Sequence, residues 1–196
     1  MPDDEGLALH RAATVAGRSG LGPIVEIGTY RGKSTVYLGD AAADTGCLVL
    51  SIDHHRGSEE NQPGWEHHDP SIVDAATGRI DTLPFARRTV ADAGLEDRVV
   101  LVVGESTRVA SVWSTPISML FIDGGHGSEP EWADYRAWAP KVAPGGYLAV
   151  HDVFPDPADG GRPPYEIYCA ALDSGLWEDR PDMSCGSLRV LRRREA

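Results

Sequence analysis

Apolar runs bounded by turn residues alternate with amphipathic stretches along most of the chain. Short apolar runs of this kind predict buried strands, which we place at 24–27, 48–53, 98–103, 117–122 and 147–152. The stretches around and between them have the spacing of amphipathic helices, which we place at 7–17, 34–43, 81–93, 130–139 and 165–174. Strands that alternate with helices indicate a parallel sheet with helices on both faces.

The C-terminal part of the sequence predicts how the sheet ends. Pro144-Gly145-Gly146 predicts a turn before the strand at 147–152, and two short apolar segments follow the last helix, from Trp177 onward and at 187–191. We interpret these segments as an antiparallel hairpin that completes a seven-stranded sheet. The predicted fold class is therefore α/β, with a doubly wound, mostly parallel sheet and an antiparallel C-terminal hairpin.

A single domain over 1–196 is expected, because 196 residues with a hydrophobic share of 41% suit one substantial core. Within it, 1–20 is predicted to form a helical cover. The polar segment 54–70 is interrupted by proline and glycine and is too long for a routine connection between a strand and a helix. We interpret it as a lid or substrate loop rather than a passive insertion.

Charge and composition narrow the range of partners. The net charge of −12 argues against nucleic acid as a partner. No apolar stretch reaches the length of a membrane span, and the acidic N-terminus is unlike a signal peptide, so no membrane association is expected. Three cysteines that form no Cys-x-x-Cys motif read as reduced thiols of a cytoplasmic protein.

A glycine-spaced turn follows the first strand, where the sequence reads Glu26-Ile-Gly28-Thr-Tyr30-Arg-Gly32-Lys-Ser34. A phosphate loop needs four residues between its first glycine and Gly-Lys, and this turn has three. A plain turn without a ligand is the other alternative. The pattern Glu-x-Gly-x-x-x-Gly resembles the first motif of class I S-adenosylmethionine-dependent methyltransferases. That resemblance implies that Glu26, Gly28 and Gly32 hold the methionine part of the cofactor. Tyr30, which could close over the cofactor, and Ser34 are also predicted to bind it.

Later strand ends extend this resemblance. Asp53 ends the second strand 25 residues after Gly28, where an acid can accept hydrogen bonds from a ribose, although an acid there can also be a cap. The resemblance also implies that the loop after the third strand contacts the adenine. The predicted cofactor-binding residues beyond the glycine turn are therefore Asp53, His54, Gly104, Glu105, Ser106 and Asp123. For Glu105 and Ser106 a simple helix cap gives the same pattern.

Acids collect at the predicted carboxyl ends of the strands, which form one edge of such a sheet. Asp123 and Asp152 are expected on adjacent strands, where their carboxylates could share a cation such as Mg²⁺. The pattern Asp123-x-x-His126 followed by His151-Asp152 resembles metal-dependent O-methyltransferases that act on sugars and natural products. The resemblance implies a metal site of Asp123, His151 and Asp152, with His126 as general base.

His151 departs from that pattern, because those relatives carry a carboxylate or amide there, and a nitrogen ligand is less suited to Mg²⁺. Either Asp123 and Asp152 then bind the ion together with waters, or another residue completes its shell. A metal-free enzyme that uses His126 or His151 as its base therefore stays open. The catalytic set that we predict is His126, Asp123 and His151. In the expected reaction, a hydroxyl loses its proton to His126 and attacks the activated sulfonium methyl group of the cofactor.

The acceptor is the least determined part of the sequence-based hypothesis. Low aromatic content and a polar loop favour a saccharide or polyol hydroxyl, with Trp65, Tyr165 and Tyr168 as possible contacts. The pattern also resembles small actinobacterial-type enzymes, including one that methylates a mannoside. Two alternatives remain: a metal-independent methyltransferase of a phenol or amine, and a non-catalytic scaffold that binds the cofactor. We expect a homodimer or higher homo-oligomer.

Overall fold

The structure is a computed structural model that describes residues 1–58, 61–62, 64, 69–125 and 128–195. Its helices are α1 (Asp3–Arg18), α2 (Lys33–Thr45), α3 (Leu83–Asp92), α4 (Ser106–Val112), α5 (Ser128–Trp138) and α6 (Arg162–Asp173). Its strands are β1 (Ile24–Ile27), β2 (Val49–Asp53), β3 (Val73–Asp74), β4 (Arg79–Ile80), β5 (Val99–Val103), β6 (Ile117–Ile122), β7 (Val142–Val150), β8 (Trp177–Asp179) and β9 (Arg189–Arg193).

Seven of the strands form one sheet in the order β5-β2-β1-β6-β7-β9-β8. The first five in that order run parallel, and β9 pairs antiparallel with both β7 and β8. This confirms the predicted doubly wound sheet with its antiparallel C-terminal hairpin. Because successive crossovers move outward from β1 in both directions, the chain reverses its winding between β1 and β6. Ligands of open α/β sheets bind at such a point.

Both faces of the sheet are covered by helices, which explains why its central parallel strands are mostly apolar. On one face, α1, α2 and α3 contribute Leu9, Leu38 and Val90 to a core that includes Phe121 of β6. On the other face, α5 and α6 contribute a second core around the fully buried Trp138. Adjacent residues of a strand therefore point into different cores.

Several details differ from the sequence-based prediction. The first helix begins at Asp3 rather than at residue 7, and α4 was not predicted. Pro144-Gly145-Gly146 does not form a separate turn, because β7 begins at Val142 and runs through it with a shift of register against β6. Gly145 has a φ of +82°, and a Cβ on Gly146 would lie 2.8 Å from the Ser118 carbonyl oxygen, so glycine permits this irregular pairing.

Between β2 and α3 the chain contains a two-stranded antiparallel ribbon of β3 and β4, which the sequence analysis did not predict. Trp65, His67 and His68 lie outside the described residues, so the lid function of 54–70 stays a prediction. No described helix has the length and apolarity needed to cross a bilayer.

Candidate active site

The register of the sheet brings the predicted site residues into one row. Ile27 of β1 pairs with Ile52 of β2 and Ile122 of β6, and Ile122 pairs with Val150 of β7. The next residue of each strand then enters the same row, in the spatial order Asp53, Gly28, Asp123, His151. Paired residues of parallel strands point to the same face, so the side chains of Asp53, Asp123 and His151 share the face covered by α1 and α2.

The turn between β1 and α2 needs glycine at its narrowest point. Gly28 has a φ of +96°, and a Cβ added there would lie only 2.1 Å from the carbonyl oxygen of Asp123. Gly32, at the start of α2, has a φ of +90°, and Tyr30 between them has a φ of +47°. Backbones this close place the glycine turn directly beside the loop that follows β6, residues 123–125, which we call the Asp123 loop.

Glu26 stabilises this turn through hydrogen bonds. Its fully buried carboxylate accepts hydrogen bonds from Ser34 at 2.5 Å, Thr35 at 2.6 Å and Ser51 at 2.5 Å. Burial raises the pKa of Glu26 to about 7, against the opposing effect of these hydroxyl groups. The predicted cofactor residues Glu26 and Ser34 thus contact each other, and their hydrogen bonds link β1, β2 and the first turn of α2.

Asp53 connects the glycine turn with the neighbouring loops. Its carboxylate accepts from the backbone N–H of Tyr30 at 2.8 Å and of His55 at 2.7 Å, and its carbonyl accepts from Gly104 N–H at 3.0 Å. The half-exposed side chain of His54 lies next to it. Each Asp53 oxygen retains a lone pair after its backbone bond, so the carboxylate can still accept from a ligand hydroxyl.

The two residues predicted to contact the adenine, Glu105 and Ser106, have different partners. The exposed Glu105 carboxylate forms an ion pair with Arg108 at 2.6 Å. The hydroxyl group of Ser106 instead donates to Asp134 of α5, a residue that the sequence analysis did not single out. Burial raises the pKa of the Asp134 carboxyl, against the bond from Ser106. Asp134 also lies near Gly124, because a Cβ on Gly124 would be 3.6 Å from its Oδ2.

The acidic residues after β6 and β7 converge on His151, which is only 5% exposed. Its Nδ1 lies 3.0 Å from Asp123 Oδ1 and 3.2 Å from Asp152 Oδ1, and its Nε2 lies 2.7 Å from Glu5 Oε2. Burial alone would lower the pKa of His151, but Asp123 and Asp152 outweigh that effect and raise it to about 10. Asp152 has a φ of +55°, which turns the chain back after β7.

The set of Asp123, His151 and Asp152 fits a divalent cation. One donor atom from each residue can be chosen so that all lie within 4.8 Å of one another. Two ligands at right angles around an ion, each at about 2.1 Å, are about 3.0 Å apart, which matches the distances from Nδ1 to the carboxylates. Nδ1 is buried, and within the described part of the chain no hydrogen bond of good geometry reaches it, so its contacts are ion pairs by distance alone.

The structure does not test every predicted site residue. His126 lies outside the described residues, so its role as a base stays a prediction. Tyr165 and Tyr168 lie on α6, partly buried against the second core, and Tyr165 stacks with Arg162. Glu5 was missed, because an acid in the first turn of a helix is ordinarily interpreted as a favourable charge near the helix N-terminus.

Comparisons with known proteins agree with the fold. A family model described as a methyltransferase domain matches residues 25–153, from β1 to just beyond the His151-Asp152 pair. Rv0187 from MTB, solved with its cofactor bound, superposes with a TM-score of 0.70 at 18% identity, over 100% of this chain and 82% of that one.

Two further solved structures have the same fold. An O-methyltransferase from Bacillus cereus in complex with SAH gives a TM-score of 0.66 at 17% identity, over 100% of this chain and 82% of that one. TomG, an O-methyltransferase of tomaymycin synthesis from Streptomyces achromogenes in complex with SAM, gives 0.64 at 17% identity, with the same coverage.

A doubly wound sheet with a glycine turn after its first strand is also found in dinucleotide-binding proteins, so the family model decides the class. Since the family model spans well over half of the sequence, the chain belongs to the class I S-adenosylmethionine-dependent methyltransferases. This confirms the resemblance drawn from the glycine turn and the later strand ends.

Proposed function

We propose that this protein transfers the methyl group of S-adenosylmethionine to a hydroxyl oxygen of a saccharide or polyol, with a divalent cation at Asp123, His151 and Asp152. One observation carries the proposal: the glycine turn touches the Asp123 backbone. A cofactor on that turn and a cation at Asp123 are therefore neighbours, as transfer to a coordinated oxygen requires. The B. cereus and S. achromogenes enzymes, solved with SAH and SAM, support the cofactor and the oxygen acceptor.

Each part of the row has its own task in this proposal. The glycine turn and Asp53 bind the methionine and ribose parts of the cofactor, with Glu26 holding the turn in shape. The loop at Gly104, Glu105 and Ser106 borders the adenine. The cation, when bound, orients the acceptor hydroxyl and lowers its pKa. Mg²⁺ and Mn²⁺ both accept carboxylate oxygens, and the His151 nitrogen favours Mn²⁺ of the two.

His126 is the proton acceptor in our proposal, because it follows Asp123 by three residues and a histidine side chain is suited to accept a proton near neutral pH. His151 is poorly suited to that task. It is buried, and both of its ring nitrogens already face carboxylates, so no open nitrogen is left for a substrate proton.

The acceptor is proposed to bind on the side of the 54–70 segment. Ser58 packs against the Asp123 loop, since a Cβ on Gly125 would lie 2.4 Å from its Cβ. A cleft of about 690 Å³ begins beside it, and its lining includes Arg56, Gln62 and Arg79. Guanidinium and amide groups are suited to oxygen-rich molecules, which favours a sugar over a flat phenol.

The test is a methyl-transfer assay against a panel of glycosides, polyols, catechols and amines, with EDTA and with Mg²⁺ or Mn²⁺ added back. We expect transfer to a sugar or polyol that EDTA abolishes and the metal restores. Asp123→Asn should remove it, while Asp97→Asn, a change of an exposed carboxylate, should not. EDTA-resistant transfer to a phenol or amine would favour the metal-independent alternative. S-adenosylhomocysteine binding without transfer to any acceptor would favour a scaffold.

A further inference from the structure

We propose that Glu5, in the first turn of α1, is a positioning residue of the cation site. Its carboxylate holds the Nε2–H of His151, so that the lone pair of Nδ1 faces the cation between Asp123 and Asp152. This inference rests on the cation site proposed above. It adds a residue outside the matched family region of 25–153 and assigns a role to the N-terminal helix.

The placement of Glu5 is unusual for an acid in a first helical turn. Asp3 and Asp4 beside it are exposed, but Glu5 is only 3% exposed and points into the sheet face. Its Oε2 lies 2.7 Å from His151 Nε2, and its Oε1 accepts from Ser187 N–H at 2.5 Å and Ser187 Oγ at 3.0 Å. The register of β7 explains the contact, because His151 faces the side of the sheet that α1 covers.

These contacts determine which ring nitrogen of His151 carries a hydrogen. An ionised carboxylate is only an acceptor, so Nε2 must donate to it. In the neutral imidazole, Nδ1 then has the lone pair, and Nδ1 is the atom beside Asp123 and Asp152. Metal-ligating histidines commonly donate their other N–H to a carboxylate, which holds the ring and raises its basicity as a ligand.

The chain packs closely around Glu5, and two neighbouring positions have room only for glycine. A Cβ on Gly186 would lie 2.2 Å from Glu5 Oε1, and a Cβ on Gly6 would lie 2.4 Å from the ring of Tyr37. Glycine at both positions lets the β8–β9 connection and α2 approach α1 closely. The carboxylate of Glu5 therefore connects α1 and the β8–β9 connection to the end of β7, where the proposed cation site lies.

A purely structural Glu5–His151 pair does not account for the other ring nitrogen. A buried histidine that only stabilises the fold is expected to satisfy both nitrogens with hydrogen bonds. Nδ1 of His151 is buried and faces two carboxylates, yet among the described residues it has no hydrogen bond of good geometry. Nδ1 thus lies between two carboxylates at 3.0 and 3.2 Å, where a divalent cation can take the place of its proton.

The first test compares Mn²⁺ affinity in the wild type, Glu5→Gln and Asp4→Asn, measured by the loss of the free-ion signal in electron paramagnetic resonance. Asp4→Asn removes the same charge from the same helical turn and is the matched control. In Glu5→Gln, the amide oxygen keeps the bonds from Ser187 and the NH₂ group faces Nε2. Nε2 must then accept, which moves the hydrogen of the neutral ring to Nδ1 and blocks the ligand atom.

We expect Mn²⁺ affinity to fall roughly 10- to 100-fold in Glu5→Gln and to change by no more than about twofold in Asp4→Asn. Equal affinity in the wild type and Glu5→Gln would overturn the inference and leave the cation site in place. No Mn²⁺ binding by the wild type would overturn both.

The second test is made on the wild type, and a variant is used only to assign the His151 signals. In the wild type labelled with ¹⁵N-histidine, with the His151 signals identified by their loss in His151→Asn, we expect Nε2 to carry a hydrogen. Addition of diamagnetic Zn²⁺ should shift the Nδ1 resonance and leave Nε2 protonated. A shift that falls on Nε2, or an unprotonated Nε2 before Zn²⁺ is added, would contradict the inference.

Discussion

Gly28 is the position where one methyl group should disturb both proposed sites. In Gly28→Ala, the new Cβ would lie 2.1 Å from the Asp123 carbonyl oxygen, more than 1 Å inside the 3.4 Å at which ordinary contact begins. The backbone of the Asp123 loop cannot rotate away as a side chain can, because Asp123 N–H is bonded to Ile27 O at 2.9 Å. The glycine turn and the Asp123 loop must therefore separate.

The expected magnitude has two parts. A non-glycine residue in the left-handed region costs about 1–2 kcal/mol, and the φ of Gly28 is +96°. Overpacking of a closed contact adds about 1–3 kcal/mol. The free energy of unfolding should fall by about 2–5 kcal/mol in total. Displacement of the turn by about 1 Å should also weaken S-adenosylhomocysteine binding by at least about tenfold, since misplacement on that scale can cost about 100-fold in function.

Urea unfolding and calorimetric titration of S-adenosylhomocysteine measure the two effects. Gly46→Ala is the matched control, because Gly46 ends the same helix α2 with a φ of +75° and no described atom lies within 4 Å of an added Cβ. It should cost only about 1–2 kcal/mol and leave cofactor affinity unchanged. If Gly28→Ala and Gly46→Ala behave alike in both assays, the contact between the glycine turn and the Asp123 loop is not what we describe.

Three further predictions concern acidic residues at the strand ends. The pKa of Glu26 rises from 4.5 to about 7 on folding, so the folded protein binds this proton more tightly than the unfolded chain does. The free energy of unfolding should therefore fall by about 3 kcal/mol between pH 4.5 and 7 and level off above. In Glu26→Gln this part of the pH dependence, measured by urea unfolding, should be absent. Asp53→Ala removes the acceptor of the Tyr30 and His55 amides, and calorimetry should show S-adenosylhomocysteine affinity reduced at least about tenfold; unchanged affinity would contradict a ribose contact. Asp123→Asn should lower Mn²⁺ affinity at least about tenfold in paramagnetic resonance while the melting temperature changes little, and undiminished Mn²⁺ binding would place the cation elsewhere.

Much of the fold follows from the sequence because each central strand is buried on both faces. A strand such as Ile117–Ile122 then contains only residues that can enter a core, and its polar successor Asp123 marks where it leaves the sheet. Parallel pairing places all such strand ends at one edge, so the row of site residues could be predicted without coordinates. The order of the motifs along the chain then pointed to the methyltransferase class.

Other features could not be predicted because they depend on how the elements pack. Glu5 and His151 are 146 positions apart, and their contact exists only because α1 lies on the face to which His151 points. The bond from Ser106 to Asp134 likewise requires α4 and α5 to be neighbours. The irregular path of β7 through Pro144 depends on close approach to Ser118, which local sequence preferences do not report.

The measurement that tests the central claim most directly is an anomalous difference map from crystals grown with S-adenosylhomocysteine and Mn²⁺. Our account predicts the cofactor on the glycine turn with its ribose at Asp53. It also predicts a Mn²⁺ peak about 2.0–2.3 Å from His151 Nδ1 and from oxygens of Asp123 and Asp152. Cofactor density on the turn without a peak among these three residues would contradict the cation site. Cofactor bound away from the turn would contradict the account as a whole.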